Sequence, residues 1–143
     1  MKNKWAIWLI PPIAYISLWI LGSVAFLIYF RVFAISMALD YTGMIQQLPP
    51  ILTILTVPVC CFIAFFVTAR VIFARVAPLD SQTALRIGVA SLIFTIALDL
   101  LISVAIEKID ILAFPVNLMY LLAWIAIIPT IFLAHALARR KGG

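Results

Sequence analysis

Residues 87–106 read IGVASLIFTIALDLLISVAI, an apolar run long enough to cross the hydrocarbon core of a membrane as a helix. Its polar side chains recur every fourth residue, and the spacing extends just past the run: Ser91, Thr95, Asp99, Ser103 and Glu107. Residues four apart lie on one face of an α-helix. The run therefore predicts a membrane-spanning helix with a polar stripe and one carboxylate, Asp99, well inside the bilayer.

The composition of the whole chain indicates the same class of protein. Hydrophobic residues make up 67% of the 143 residues and charged residues 10%, and the mean hydropathy is +1.27. Soluble domains do not have this composition. Three further runs are long enough to span, so we predict one all-α transmembrane domain over residues 1–143, an up-down-up-down four-helix bundle with spans at about 5–30, 50–69, 87–106 and 111–138.

The basic residues predict the orientation of this bundle, because short cytoplasmic loops retain Lys and Arg. With both termini in the cytoplasm, only Arg31 and Lys108 lie outside, and eight basic residues lie inside: Lys2, Lys4, Arg70, Arg75, Arg86, Arg139, Arg140 and Lys141. This positive-inside distribution, together with attraction to anionic lipid headgroups, accounts for the net charge of +5. We therefore expect a multi-pass protein of the plasma (inner) membrane and no nucleic-acid partner.

The connections between the spans differ in length. The segment from Arg31 to Leu48 predicts a continuation of the first helix followed by a turn near Asp40. Asp80 or Ser81 is a suitable N-cap for the third helix. Only Glu107 to Asp110 separates the last two spans, so these should form a hairpin of neighbouring helices.

The short last connection allows depths to be compared between helices. At 1.5 Å per residue, Asp99 lies about 12 Å below Glu107, and Asn117 lies about 9 Å below Ile111. The same counting brings residues of the first two helices to a similar depth. It predicts a substrate-binding or ion-binding cluster that consists of Asp99, Asn117, Thr56, Thr95, Tyr120 and Ser23.

A second interpretation of these residues remains open. Small and hydroxyl residues also line helix interfaces in membranes, where they permit close approach. Asp99 could then be a neutral side chain that is hydrogen bonded to Asn117 or Thr56. However, a carboxylate at the centre of a membrane helix costs roughly 2.5–3.5 kcal/mol, and packing alone does not require one.

Two function classes follow. The first is a small secondary transporter or channel in which Asp99 binds a proton or cation. The second is a non-catalytic subunit, assembly factor or scaffold of a larger membrane complex. Either would act in the lipid bilayer as a homo-oligomer or with other membrane subunits. We do not expect an enzyme, cofactor or metal, because no nucleophile accompanies a base, Cys60 and Cys61 lack the CxxC spacing, and His135 is the sole histidine.

Overall fold

The structure is a computed structural model that describes residues 4–76 and 78–140, and the regular structure in these ranges is entirely helical. Four helical stretches are long and apolar enough to cross a membrane, as predicted. The helices are a 3₁₀ segment Lys4–Leu9, α1 Ile10–Val32, the short α2 Tyr41–Gln46, α3 Pro50–Arg75, α4 Ser81–Leu98 with its π-helical continuation Asp99–Ile106, and α5 Val116–Arg140.

Two aspartates cap helices in the connections. The Asp80 carboxylate accepts a hydrogen bond of 2.9 Å from the Thr83 backbone N–H, which confirms Asp80 as the N-cap of α4. Hydrogen bonds from Thr83 also lower the pKa of Asp80, because they stabilise its charged form. Asp40 caps α2 in the same way, through a bond of 2.8 Å from the Gly43 backbone N–H.

The structure corrects two of the predicted boundaries. The first helix continues only two residues into the connection, because α1 ends at Val32 and the chain turns at Ala34, whose φ is 52°. The last helix begins at Val116 rather than at residue 111. Pro115 disfavours a helical conformation at Phe114, and the chain from Glu107 to Pro115 consists of turns and irregular structure. The last connection is therefore longer than the predicted segment from Glu107 to Asp110.

The four long helices form a closed ring. The main contacts join α1 to α3, α3 to α5, α5 to α4, and α4 to α1. The prediction that the last two spans are neighbouring helices is thus confirmed. At one end of the ring, which we call the packed region, apolar side chains fill the interior; its fully buried members include Phe65, Ala69, Ile87, Ile127, Ile131 and Ala134.

His135 fixes the loop before α4 to the packed region. Its side chain is buried, and its Nε2 lies 2.9 Å from the carbonyl oxygen of Leu79. A carbonyl oxygen only accepts, so Nε2 carries the hydrogen of this bond. The imidazole also packs edge-on against Phe73, with ring centroids 5.7 Å apart. His135 therefore has a structural role at this end of the bundle.

Candidate functional site

Asp99 is buried between three helices, and each of its carboxylate oxygens accepts one hydrogen bond. The Tyr15 hydroxyl of α1 donates to Oδ1 over 2.9 Å. The Trp124 indole N–H of α5 donates to Oδ2 over 2.7 Å. The side chain of Asp99 is 6% exposed. The two aromatic donors therefore hold the carboxylate at a fixed position inside the bundle.

The helix that carries Asp99 changes its geometry at this residue. From Asp99 to Ile106 the helix is π-helical, and the bond from the Glu107 N–H to the Ile102 carbonyl spans five residues. Such segments occur frequently at functional sites. The predicted stripe nevertheless faces the interior, since Ser91, Thr95, Asp99 and Ser103 are all buried, while Glu107 is exposed at its end.

The described part of the chain places no cationic side chain against this carboxylate. Among residues 4–76 and 78–140, no Lys or Arg forms an ion pair with Asp99, and its two hydrogen-bond donors are uncharged. An intramembrane carboxylate normally pairs with another group or faces a water-filled cavity. A proton or a bound cation could supply the missing positive charge.

The two donors differ in what they allow Asp99 to do. The Trp124 N–H can only donate, so Oδ2 must accept in every protonation state. The Tyr15 hydroxyl can donate or accept. When Oδ1 takes up a proton, the bond to Tyr15 can reverse, and Asp99 keeps both partners. The arrangement therefore suits a carboxyl group that gains and loses a proton at Oδ1.

A cavity lies beside Asp99. The space available to the centres of water molecules inside it is about 70 Å³. One water molecule needs roughly 10–15 Å³ by this measure, so the cavity has room for about five. Its polar lining runs along the stripe, from Thr95 through Asp99 and Ser103 to the exposed Glu107. The cavity therefore connects the buried carboxylate with the end of the bundle that holds α2.

Three of the other predicted site residues line this cavity with Asp99: Ser23, Thr95 and Tyr120. The Thr95 hydroxyl oxygen is fully buried, and within the part of the chain that the structure describes it has no hydrogen-bond partner. Tyr120 is also buried, and its phenol interacts with Ser103. Part of the cluster that the sequence predicts therefore lies around the Asp99 carboxylate.

Two predicted residues lie elsewhere. The Thr56 hydroxyl is bonded to that of Tyr29 at 3.0 Å and does not line the cavity. Asn117 is exposed in the first turn of α5, where its side chain accepts a bond from the Leu118 N–H. The depth comparison that brought Asn117 beside Asp99 was wrong, because α5 begins later than predicted. Trp124, about 10 Å further along the helix, holds that position instead.

Sequence reasoning missed both direct partners of Asp99. The residue pattern did not single out Tyr15 or Trp124, yet a buried phenol or indole N–H usually finds a hydrogen-bond acceptor. Asp99 is the only acidic residue inside the four predicted spans. A search for donors within those spans would therefore have included both residues among its candidates.

Two groups at the mouth of the cavity lie outside the membrane-spanning helices. Glu107 is largely exposed, but the partial burial of its carboxyl raises the pKa above its usual value. Burial, together with the charge of Glu107, raises the pKa of Tyr41 to about 12. Tyr41 is therefore neutral at physiological pH, and Glu107 is the carboxylic acid that lines the mouth among the described residues.

Within residues 4–76 and 78–140, no three His, Cys, Asp or Glu side chains are placed to hold a metal ion. Comparisons with protein-family models, with curated proteins and with solved structures found no match to this chain. The functional assignment therefore depends on the geometry around Asp99.

Proposed function

We propose that this four-span protein binds a proton or a monovalent cation at Asp99 and transports it across the membrane. The observation that carries the proposal is a buried carboxylate with two uncharged hydrogen-bond donors and no cationic partner among the described residues. A cavity with room for about five water molecules lies beside it. Such a residue is costly in a membrane and is by default a functional site.

A transporter fits the bundle better than an open channel. The cavity reaches Asp99 from one end of the ring. The other end is closed by the packed region, where Phe65, Ile127 and Ile131 have no exposed surface. A cation bound at Asp99 therefore leaves by the opposite side only after the helices rearrange, as alternating access requires.

The proposal includes an orientation. In an up-down-up-down bundle with cytoplasmic termini, Glu107 and Tyr41 face the outside of the plasma membrane, and the cavity opens outward. In a background in which Ala replaces Cys60 and Cys61, Asp110→Cys should react with an impermeant thiol reagent added to intact cells, and Gln82→Cys should not. The reverse labelling pattern would contradict this orientation.

The transport proposal is tested by ion or pH flux in proteoliposomes. Asp99→Asn keeps the shape of the side chain but removes its charge. We expect it to fold and to lose at least about tenfold in flux, while Asp99→Glu retains part of the activity. Asp80→Asn is the matched control, because Asp80 is an exposed helix cap and Asn caps helices equally well.

Folding is verified by size-exclusion elution, to which every flux is normalised. Equal flux from the wild type and from Asp99→Asn would overturn the transport proposal. The account in which this chain is a non-catalytic subunit or scaffold would then be preferred, and stoichiometric copurification with other membrane proteins would support it. A homo-oligomer with Asp99-dependent flux supports the transporter.

A further inference from the structure

We propose that the ligand of the Asp99 cavity is a small organic ammonium ion, of the size of a trimethylammonium head group. This inference rests on the proposed function and names the class of cation that the site would take. Three features of the cavity carry it: the aromatic rings in its wall, its uncompensated negative charge and its volume.

The rings come from three parts of the chain. Trp19 and Phe26 of α1, Tyr41 of α2 and Tyr120 of α5 all line the cavity. Aromatic faces attract cations through the ring quadrupole, and cages of several rings are the usual means of binding quaternary ammonium groups. A wall of four aromatic residues is therefore suited to a cation that carries methyl groups.

The charge of the wall has one sign. Asp99 and Glu107 are the carboxylic acids in the lining, and among the residues that the structure describes no Lys, Arg or His belongs to it. Thr95 adds an independent observation, because the residue lines the cavity and its buried hydroxyl oxygen lacks a partner among the described residues. A ligand with both a cationic head and a hydrogen-bonding group, such as choline, would pair with the carboxylate and, after rotation of the Thr95 side chain, with this hydroxyl.

The size of the cavity selects small ions. It has room for about five water-sized groups, and tetramethylammonium has about as many non-hydrogen atoms. Hard inorganic cations instead require a shell of six or more oxygen ligands, as Ca²⁺ and Mg²⁺ do. The oxygen atoms of this wall are concentrated along the polar stripe, and the aliphatic side chains of Leu18, Val57 and Met119 elsewhere in the wall offer no such ligands.

Isothermal titration calorimetry on the purified, full-length protein in detergent tests the inference with a pair of probes. Choline and 3,3-dimethyl-1-butanol have the same shape, but only choline is charged. We expect choline to bind at least about tenfold more tightly than the neutral alcohol, and Asp99→Asn to abolish this preference. Equal affinity for the two probes would overturn the inference.

A matched pair of variants tests the aromatic wall. Phe26 and Phe30 are both buried in α1 and stack on each other, but only Phe26 lines the cavity. Phe26→Leu should weaken choline binding about two- to fivefold, because it removes a ring next to the cation. Phe30→Leu should leave the affinity unchanged. If both variants bind choline like the wild type, the aromatic wall does not recognise the cation and the inference is wrong.

The two proposals can fail separately. If proton or cation flux depends on Asp99 but choline does not bind and does not compete, the proposed function stands and the organic-cation inference is overturned. If Asp99→Asn transports like the wild type, the proposed function itself fails, whatever the calorimetry shows.

Discussion

The polar stripe of the third span passes through two regions that use the same residue types differently. At Gly88 and Ser91 the helix lies in the packed region, where a Cβ on Gly88 would lie 3.6 Å from the backbone of Ile128. From Thr95 to Glu107 the stripe lines the cavity. In the first region small residues bring helices together, and in the second the helices stand apart around a carboxylate. Polar and small residues at helical spacing on one helix face can therefore have different roles in different parts of the helix.

The largest effect on folding is expected in the packed region. Gly88→Leu would push a branched side chain against the backbone of α5, and overpacking of this kind costs about 1–3 kcal/mol or more. We expect a clear loss of thermal stability in detergent, measured by circular dichroism. Gly88→Ala serves as the control and should be tolerated, because its Cβ makes an ordinary van der Waals contact. A Gly88→Leu protein as stable as the wild type would show that the packed region is not tightly packed.

The matching change in the cavity should affect activity rather than folding. Gly22 lines the cavity, and no neighbouring atom lies within 4 Å of a Cβ built at this position. Gly22→Leu should therefore fold with nearly unchanged thermal stability, but its side chain would fill the space beside Asp99. We expect at least about a tenfold loss of flux in proteoliposomes, since the cavity holds only about five waters. Full activity in this variant would exclude the cavity as the cation path.

A smaller effect is expected from the hydrogen bond between Tyr15 and Asp99. Tyr15→Phe removes one of the two donors to the carboxylate, and hydrogen bonds to charged groups contribute about 1.5–3 kcal/mol. Cation binding, measured by calorimetry, should weaken by about tenfold. Tyr29→Phe is the matched control, because the Tyr29 hydroxyl is bonded to Thr56 away from the cavity. Similar losses in both variants would indicate a general effect on the bundle instead of a role at Asp99.

The smallest effects are expected from removing one hydroxyl group in each of the two parts of the stripe. Ser91 and Thr95 each bury a hydroxyl that has no partner among the described residues. Ser91→Ala and Thr95→Val should both leave stability within about 1 kcal/mol of the wild type, because neither removes a hydrogen bond. Only Thr95→Val should weaken choline binding, by about two- to fivefold. Weaker binding in Ser91→Ala would mean that the ligand extends into the packed region.

The four spans and the buried stripe could be predicted because they depend on local sequence properties. Apolar length identifies a membrane helix, and four-residue spacing keeps Ser91, Thr95, Asp99 and Ser103 on one buried face. The capping role of Asp80 was predictable for the same reason.

The partners of Asp99 could not be predicted by counting depth. The count assumed regular α-helices joined by a four-residue connection, but the chain is π-helical from Asp99 and does not become helical again until Val116. These two departures shift α5 along its axis, so that Trp124 replaces Asn117 beside the carboxylate. The position of Tyr15 depends on how α1 packs against α4, which a single sequence does not specify.

The central claim is that the Asp99 carboxyl group binds and releases a proton or cation and is not only a packing residue. Infrared spectroscopy tests it directly, because a protonated carboxyl group has a carbonyl stretching band that the carboxylate lacks. On titration between about pH 4 and pH 9, the wild-type protein in lipid should show a carboxyl band that disappears as the pH rises and that is missing in Asp99→Asn. Identical spectra from the two proteins across this range would contradict the account.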